Sequence, residues 1–234
     1  MELLKKERDV VIPGDIIVES MEFLPGRNTF RENEAILSKR VGLVSINGRA
    51  ISVVPLSGAY IPREGDMVIG KVTDIQNNGW VVDVHAPSDA FLPLAGVKEY
   101  IDTRKTSLNR YYDVGDIIYA KVNGLQGTSI YLSMQDIKAR KFHGGRLVRI
   151  SPTKVPRLIG KQGSMINIIK DGTGCKINAG QNGLIWLEGE GMEKCIEVIG
   201  LIEREAAAEG LTDKISAMLG VTIDKSQESQ EVLE

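Results

Sequence analysis

The chain has 234 residues, 42% of them hydrophobic but only 5% aromatic, and a formal net charge of −2. That length suggests one to three domains with mainly aliphatic cores, and no apolar run reaches the roughly 18 residues of a membrane span. No charged start leads into an apolar segment of the signal-peptide kind, and Cys175 and Cys195 alone cannot build a four-cysteine zinc site, so the expectation is a cytoplasmic protein with two buried free thiols.

Residues 1–60 read as a small all-β domain. Val10-Val11-Ile12 leads through Pro13-Gly14-Asp15 into Ile16-Ile17-Val18, and strand-like runs recur at 34–37, 42–46 and 50–55. Asn47-Gly48 is a hairpin signal between the last two, and Pro25-Gly26-Arg27-Asn28 reads as a loop. No catalytic constellation occurs here. One local pattern recurs along the chain: Gly-Asp followed by an apolar strand, at 14–15, 65–66 and 115–116. It is turn chemistry feeding a strand and is consistent with repeated barrel corners.

Residues 62–136 contain five strand-like runs. They are Gly65-Asp66-Met67-Val68-Ile69-Gly70-Lys71-Val72, Gly79-Trp80-Val81-Val82-Asp83-Val84, Ala90-Phe91-Leu92-Pro93, Gly115-Asp116-Ile117-Ile118-Tyr119-Ala120-Lys121-Val122 and Ser129-Ile130-Tyr131-Leu132-Ser133. This resembles an S1 domain, a five-stranded OB-fold barrel that binds single strands. The resemblance implies stacking aromatics in the second strand and a histidine before a serine in the third. The corresponding positions here are Asn78, Val81 and Pro93. Trp80, one place off, is either a packing residue or a stacking platform. The loop 98–112 offers Lys98, Arg104, Lys105 and Arg110 beside Tyr111 and Tyr112. It is either a guide for a phosphate backbone or a solvated loop.

Residues 144–220 centre on Leu158-Ile159-Gly160-Lys161-Gln162-Gly163-Ser164-Met165-Ile166. The spacing predicts a short helix over 154–159, with Pro156 tolerated in its first turn, then a four-residue turn and a second helix from Ser164. Glycines there admit a close backbone, the second helix offers free N–H groups, and Lys161 adds charge. A strand precedes, Arg146-Leu147-Val148-Arg149-Ile150. Strands at 175–179 and 184–187, joined by the turn Gln181-Asn182-Gly183, and a helix over about 192–208 follow. The order β-α-α-β-β-α around a Gly-x-x-Gly loop resembles a type I KH domain, whose loop clamps about four nucleotides of single-stranded nucleic acid. The resemblance assigns RNA contact to Gly160, Lys161, Gln162 and Gly163, flanked by Arg149, Lys154, Arg157, Ile159 and Ile166.

Charge is segregated around that loop. Residues 138–170 hold nine Lys or Arg and no acid, whereas 188–213 hold eight acids against Lys194 and Arg204. A basic run bracketing the Gly-x-x-Gly loop reads as a binding face. Residues 221–234 are polar and acidic, and a disordered tail is expected.

The order β domain, S1, single KH, together with Arg40-Val41-Gly42 and Val53-Val54-Pro55-Leu56-Ser57-Gly58, resembles the S1/KH RNA-binding cap subunits of the archaeal exosome. The resemblance implies a non-catalytic subunit, three copies of which cap a hexameric ring of RNase PH-like subunits, shared with a zinc-ribbon cap subunit. It implies docking through the N-terminal domain, a preference for A-rich tails and delivery of RNA to 3′–5′ degradation sites in the ring. The acids are dispersed and the only histidines are His85 and His143, so neither a metal nuclease centre nor a cofactor is expected. The alternative is an RNA-binding transcription or translation factor docked to another large assembly.

Overall fold

The computed structural model describes residues 2–102, 105–206 and 210–221. The chain divides into two compact units, Met1–Gly58 and Ala59–Glu234.

The first unit holds strands β1 (Glu2–Leu3), β2 (Val10–Val11), β3 (Ile16–Glu19), β4 (Leu24–Pro25), β5 (Thr29–Glu32), β6 (Ala35–Ser38), β7 (Gly42–Asn47) and β8 (Ala50–Pro55). They form two four-stranded sheets, ordered β1-β3-β6-β5 and β2-β7-β8-β4. Alternating residues Val11, Ile17, Ile36, Val44, Ile51 and Val53 point inward and form its core. The β7–β8 hairpin lies one residue later than Asn47-Gly48 suggests. Asn47 pairs with Ala50, so Gly48 and Arg49 are central, and Gly48 alone of the two has positive φ, +57°. Glycine first is the pattern of a type II′ hairpin turn.

The recurring Gly-Asp pairs are one turn built three times. The backbone N–H groups of Asp15, Asp66 and Asp116 donate to the carbonyls of Ile12, Arg63 and Asp113. Each aspartate carboxylate accepts the backbone N–H of that same residue three places back. Gly14, Gly65 and Gly115 occupy the third position at φ of +91°, +89° and +98°, as a type II turn requires. A fourth copy at Lys6–Asp9 has the same two bonds, with Arg8 forced to φ +69° in the glycine's place.

The second unit begins with β9 (Met67–Gln76), β10 (Gly79–Asp83), β11 (Ala90–Pro93), β12 (Ile117–Gln126), β13 (Ser129–Ser133) and β14 (Arg140–Phe142). The sheet order is β13-β11-β10-β9-β12-β14, and pairing of β13 with β12 closes the first five strands into the expected OB-type barrel. Its core includes Val68, Val72, Trp80, Val82, Leu92, Ile118, Val122 and Leu132. Strand β14, read in the sequence only as part of a basic run, extends the sheet beyond β12.

After β14 come β15 (Arg146–Arg149), α1 (Val155–Ile159), α2 (Ser164–Thr173), β16 (Lys176–Ala179), β17 (Leu184–Glu188), α3 (Met192–Glu205) and α4 (Leu211–Leu219). The antiparallel sheet runs β15-β17-β16. Helix α3 ends at Glu205, and the end expected near 208 falls at 207–209, outside the described residues. Helix α4 was not expected. It packs on α2 where Gly172 has no side chain, since a Cβ there would meet Leu219 Cβ at 2.7 Å.

Both faces of the central strand β17 are covered. Ile185 and Leu187 join the helices' core, while Leu184 and Trp186 pack with Ile69, Tyr119 and Phe142 of the barrel sheet. Phe142 stacks on Trp186 with centroids 4.3 Å apart and planes at 5°, and burying it contributes about 1.5–3 kcal/mol. The turn Gln181-Asn182-Gly183 does more than join two strands. Buried Asn182 donates to the Ile69 and Val84 carbonyls at 2.6 and 2.8 Å and accepts from the Ile69 N–H at 3.2 Å. Gly180 admits this approach, because a Cβ there would sit 2.8 Å from the Ile69 nitrogen.

Candidate nucleic-acid interface

The Gly160–Gly163 loop is shaped by backbone conformations that side chains disfavour. Gly160 ends α1 at φ +76°, ψ +174°, Gln162 has φ +49°, and Gly163 enters α2 at φ +86°, ψ +10°. A Cβ on Gly160 would meet the Met165 nitrogen at 2.6 Å, so this glycine is required by packing alone. Gly163 differs, as a Cβ there would meet nothing nearer than 3.8 Å. Its open side leaves room for a backbone to approach. Lys161 and Gln162 are exposed at the tip. No side chain caps α2 at Gly163, while the Gly163 and Ser164 N–H groups donate to the Gly160 and Lys161 carbonyls within the turn.

The flanking residues separate into two kinds. Ile159 and Ile166 are half-buried against the helical core and present apolar surface next to the loop. Arg149 is exposed on β15, and Arg157 is half-buried on α1. Lys154 is instead turned toward α3, where its Nζ donates to the Glu203 carbonyl while the Glu203 carboxylate accepts the Ser151 N–H at 3.1 Å. Lys154 therefore ties the start of α1 to α3.

On the barrel, Trp80 is fully buried. Its Nε1–H donates to the Tyr112 carbonyl at 2.8 Å, and its ring meets Tyr112 edge-on at 5.1 Å. A base cannot stack on it, so Trp80 is a packing residue that anchors the end of the 98–112 loop, and the stacking reading is corrected. Within that loop, Arg104 lies outside the described residues. Lys98 donates to the Ala139 carbonyl at 3.3 Å, and Lys105 faces Asp102 at 3.7 Å. Arg110 is exposed on a short turn, and Tyr111 is half-buried against the barrel core. The loop's described cations are thus spread out. With the β9–β10 hairpin the loop walls a polar groove of about 590 Å³ lined by residues such as Gln76, Asn77 and Ser107.

The aromatic surface lies elsewhere. Val81 pairs with Phe91 and Phe91 with Tyr131 across β10, β11 and β13. All three are half-buried, and the two rings meet edge-to-face at 6.4 Å. Strands two and three of an OB barrel are a common face for single strands. Strand parity signalled this, since Ala90 and Leu92 are buried and Phe91 between them must point out.

Both cysteines are buried and unpaired, and burial together with the neighbouring Cys175 pushes the Cys195 thiol up to about 12. Among the described residues no three His, Cys, Asp or Glu side chains are placed to hold a metal, and no helix is long and apolar enough to cross a membrane.

Three family models match in succession. They are the N-terminal domain of exosome RNA-binding protein Rrp4 over 8–57, the Rrp4 S1 domain over 59–124 and the KH domain over 146–213. A protein of Methanobrevibacter smithii named exosome complex component Rrp4 is 44% identical over 94% of this chain and 73% of its own length. The Thermococcus kodakarensis protein of the same name is 45% identical over 92% of this chain and 86% of its own. A crystal structure described as a putative exosome complex RNA-binding protein superposes with a TM-score of 0.63 at 32% identity, over 70% of this chain and 96% of that one.

Proposed function

We infer that this chain, which belongs to the Rrp4 family of exosome complex components, captures single-stranded RNA for an exosome without cleaving it. In this reading three copies, or copies mixed with a zinc-ribbon cap subunit, crown a hexameric ring of RNase PH-like subunits in the cytoplasm. They favour A-rich tails and feed 3′ ends to degradation sites in the ring. Residues 1–60 would dock to the ring, the barrel at 62–136 would border the pore and the KH part at 144–220 would hold incoming RNA. Of the tail at 221–234, residues 222–234 lie outside the described residues. The observation that carries the reading is the Gly160–Gly163 loop, where an open glycine and an exposed lysine stand together at the N-terminus of α2, as a phosphate clamp needs.

Docking through the first unit has its own support. Nine of the fifteen large apolar side chains that are exposed among the described residues lie within residues 1–58. Val10 pairs with Leu43 and Leu43 with Val54, so the three share one face of the β2-β7-β8-β4 sheet. Val10 and Val54 are 57% and 53% exposed while Val11 and Val53 are buried. An exposed apolar row of this kind supports a docking surface. Val54→Asp in the full chain should abolish co-purification with ring subunits while leaving oligoadenylate affinity within twofold. Undiminished recovery of the ring would refute this docking face, and recovery of ribosomes or RNA polymerase instead would favour another assembly.

A further inference from the structure

We propose that the cleft between the barrel and the KH part is a second RNA contact, one that grips the phosphate backbone of the segment adjoining the Gly160–Gly163 loop. The proposal rests on single-stranded RNA being the ligand, and the cleft is separate from both the loop and the outer face of β10 and β11.

The cleft has a volume of about 500 Å³ and draws its walls from both parts. One wall is β14 with the following residue, presenting Arg140, Lys141 and His143; the other is the edge strand β16 with the last turn of α2, presenting Lys176, Asn178 and Lys170. Cross-strand pairing of Lys176 with Glu188 and of Asn178 with Trp186 puts these four on the sheet face turned to the barrel. Lys141 is bonded to Asp116, and Lys176 meets Glu188 at 3.0 Å. Four cations against Glu188 and Asp116 leave two positive charges in excess, carried by Arg140 and Lys170.

The floor decides what kind of ligand fits. Phe142 and Trp186 stack on each other and are only 6% and 5% exposed. Their faces are therefore taken, and no base can stack between them. A site with surplus cations, one amide and no free aromatic face suits phosphates and ribose hydroxyls, and it reads no sequence. Two features make it a built site. The Asn182 and Gln181 bonds to β9 and to Val84 hold the two walls in one body, so the spacing of the cations is preset. Lys170 also stands seven residues beyond Gly163 on α2, about 10 Å along its axis, so one strand can reach both.

The test compares the full chain and two variants on oligoadenylates of four and of twelve nucleotides, with titrations at several salt concentrations. The short probe occupies the loop alone, and the long one also reaches the cleft. The double variant Arg140→Ala/Lys170→Ala should bind the twelve-nucleotide probe about tenfold more weakly. Its salt slope should fall by about 1.4, the value for two phosphate contacts to a single strand, while affinity for the short probe stays unchanged. Asn178→Asp, which adds a negative charge to the cleft, should act in the same direction. Unchanged affinity for the long probe in both variants, or equal losses on both probes, would overturn the cleft. A wild-type chain that binds neither probe would overturn the RNA reading itself and the cleft with it.

Discussion

The two glycines of the 160–163 loop look alike in sequence and have different jobs. Gly160 cannot carry a side chain because the Met165 backbone is in the way, whereas Gly163 has space but a left-handed backbone. Gly163→Asp therefore costs strain, about 1–2 kcal/mol for an L residue in that region and nearer the lower figure for aspartate. Its carboxylate cannot recover this as an ordinary helix cap, because a capping residue normally has β-region dihedrals. The variant should lower the melting temperature by a few degrees and RNA affinity by tenfold or more, as its negative charge faces a phosphate. Gly160→Ala should lower the melting temperature further. Wild-type affinity in a folded Gly163→Asp chain would make the loop purely structural. The spacing of these glycines was legible in the sequence; their unequal packing was not, because it depends on Met165 folding back over the turn. Trp80 shows the reverse case. It shares strand parity with buried Val82 and Val84, so its inward direction is legible in the sequence, whereas its closeness to the family's stacking position points the other way.

At the scale of elements, strands and turns were the most readable features, because period-two alternation and Gly-Asp turns are local. The junction was not readable, since it is made by non-local partners. Gln181-Asn182-Gly183 reads as an ordinary turn until Ile69 and Val84 are brought to it, and β14 reads as a basic run until β12 pairs with it. Helix α4 is not legible because it is only nine residues long, a span that offers few apolar positions at helical spacing. The junction's electrostatics can be tested by pH. Burial alone would raise the Asp116 carboxyl, but the hydrogen bond and charge of Lys141 and the Asp113 N–H more than offset this and hold it below its ordinary value. A depressed carboxylate adds stability above its unfolded pKa, near 3.9, and loses it as pH falls through the lower folded value. Asp116→Asn keeps an oxygen for the Asp113 N–H and loses the charge facing Lys141. Urea unfolding should show a deficit of about 1 kcal/mol or less at pH 7 that shrinks steadily below pH 4. A deficit independent of pH would mean the ion pair contributes nothing.

For the whole molecule, the order of parts and the segregation of charge carried the reading. A net charge of −2 hides a basic stretch at 138–170, and the fold distributes that stretch over β14, β15 and the two helices flanking the loop. What the linear order conceals is that the barrel and the KH part belong to one unit, while residues 1–58 form another. That division fits a chain whose first unit docks and whose second handles RNA. The most direct measurement of this account follows an RNA with an oligoadenylate 3′ tail under three conditions with phosphate and magnesium: this chain alone, ring subunits alone, and the two combined. The account predicts that the chain alone binds the RNA and leaves its length unchanged, and that the combination shortens it faster than the ring does. Shortening of the RNA by the chain alone, or a combined rate no greater than the ring's, would contradict it.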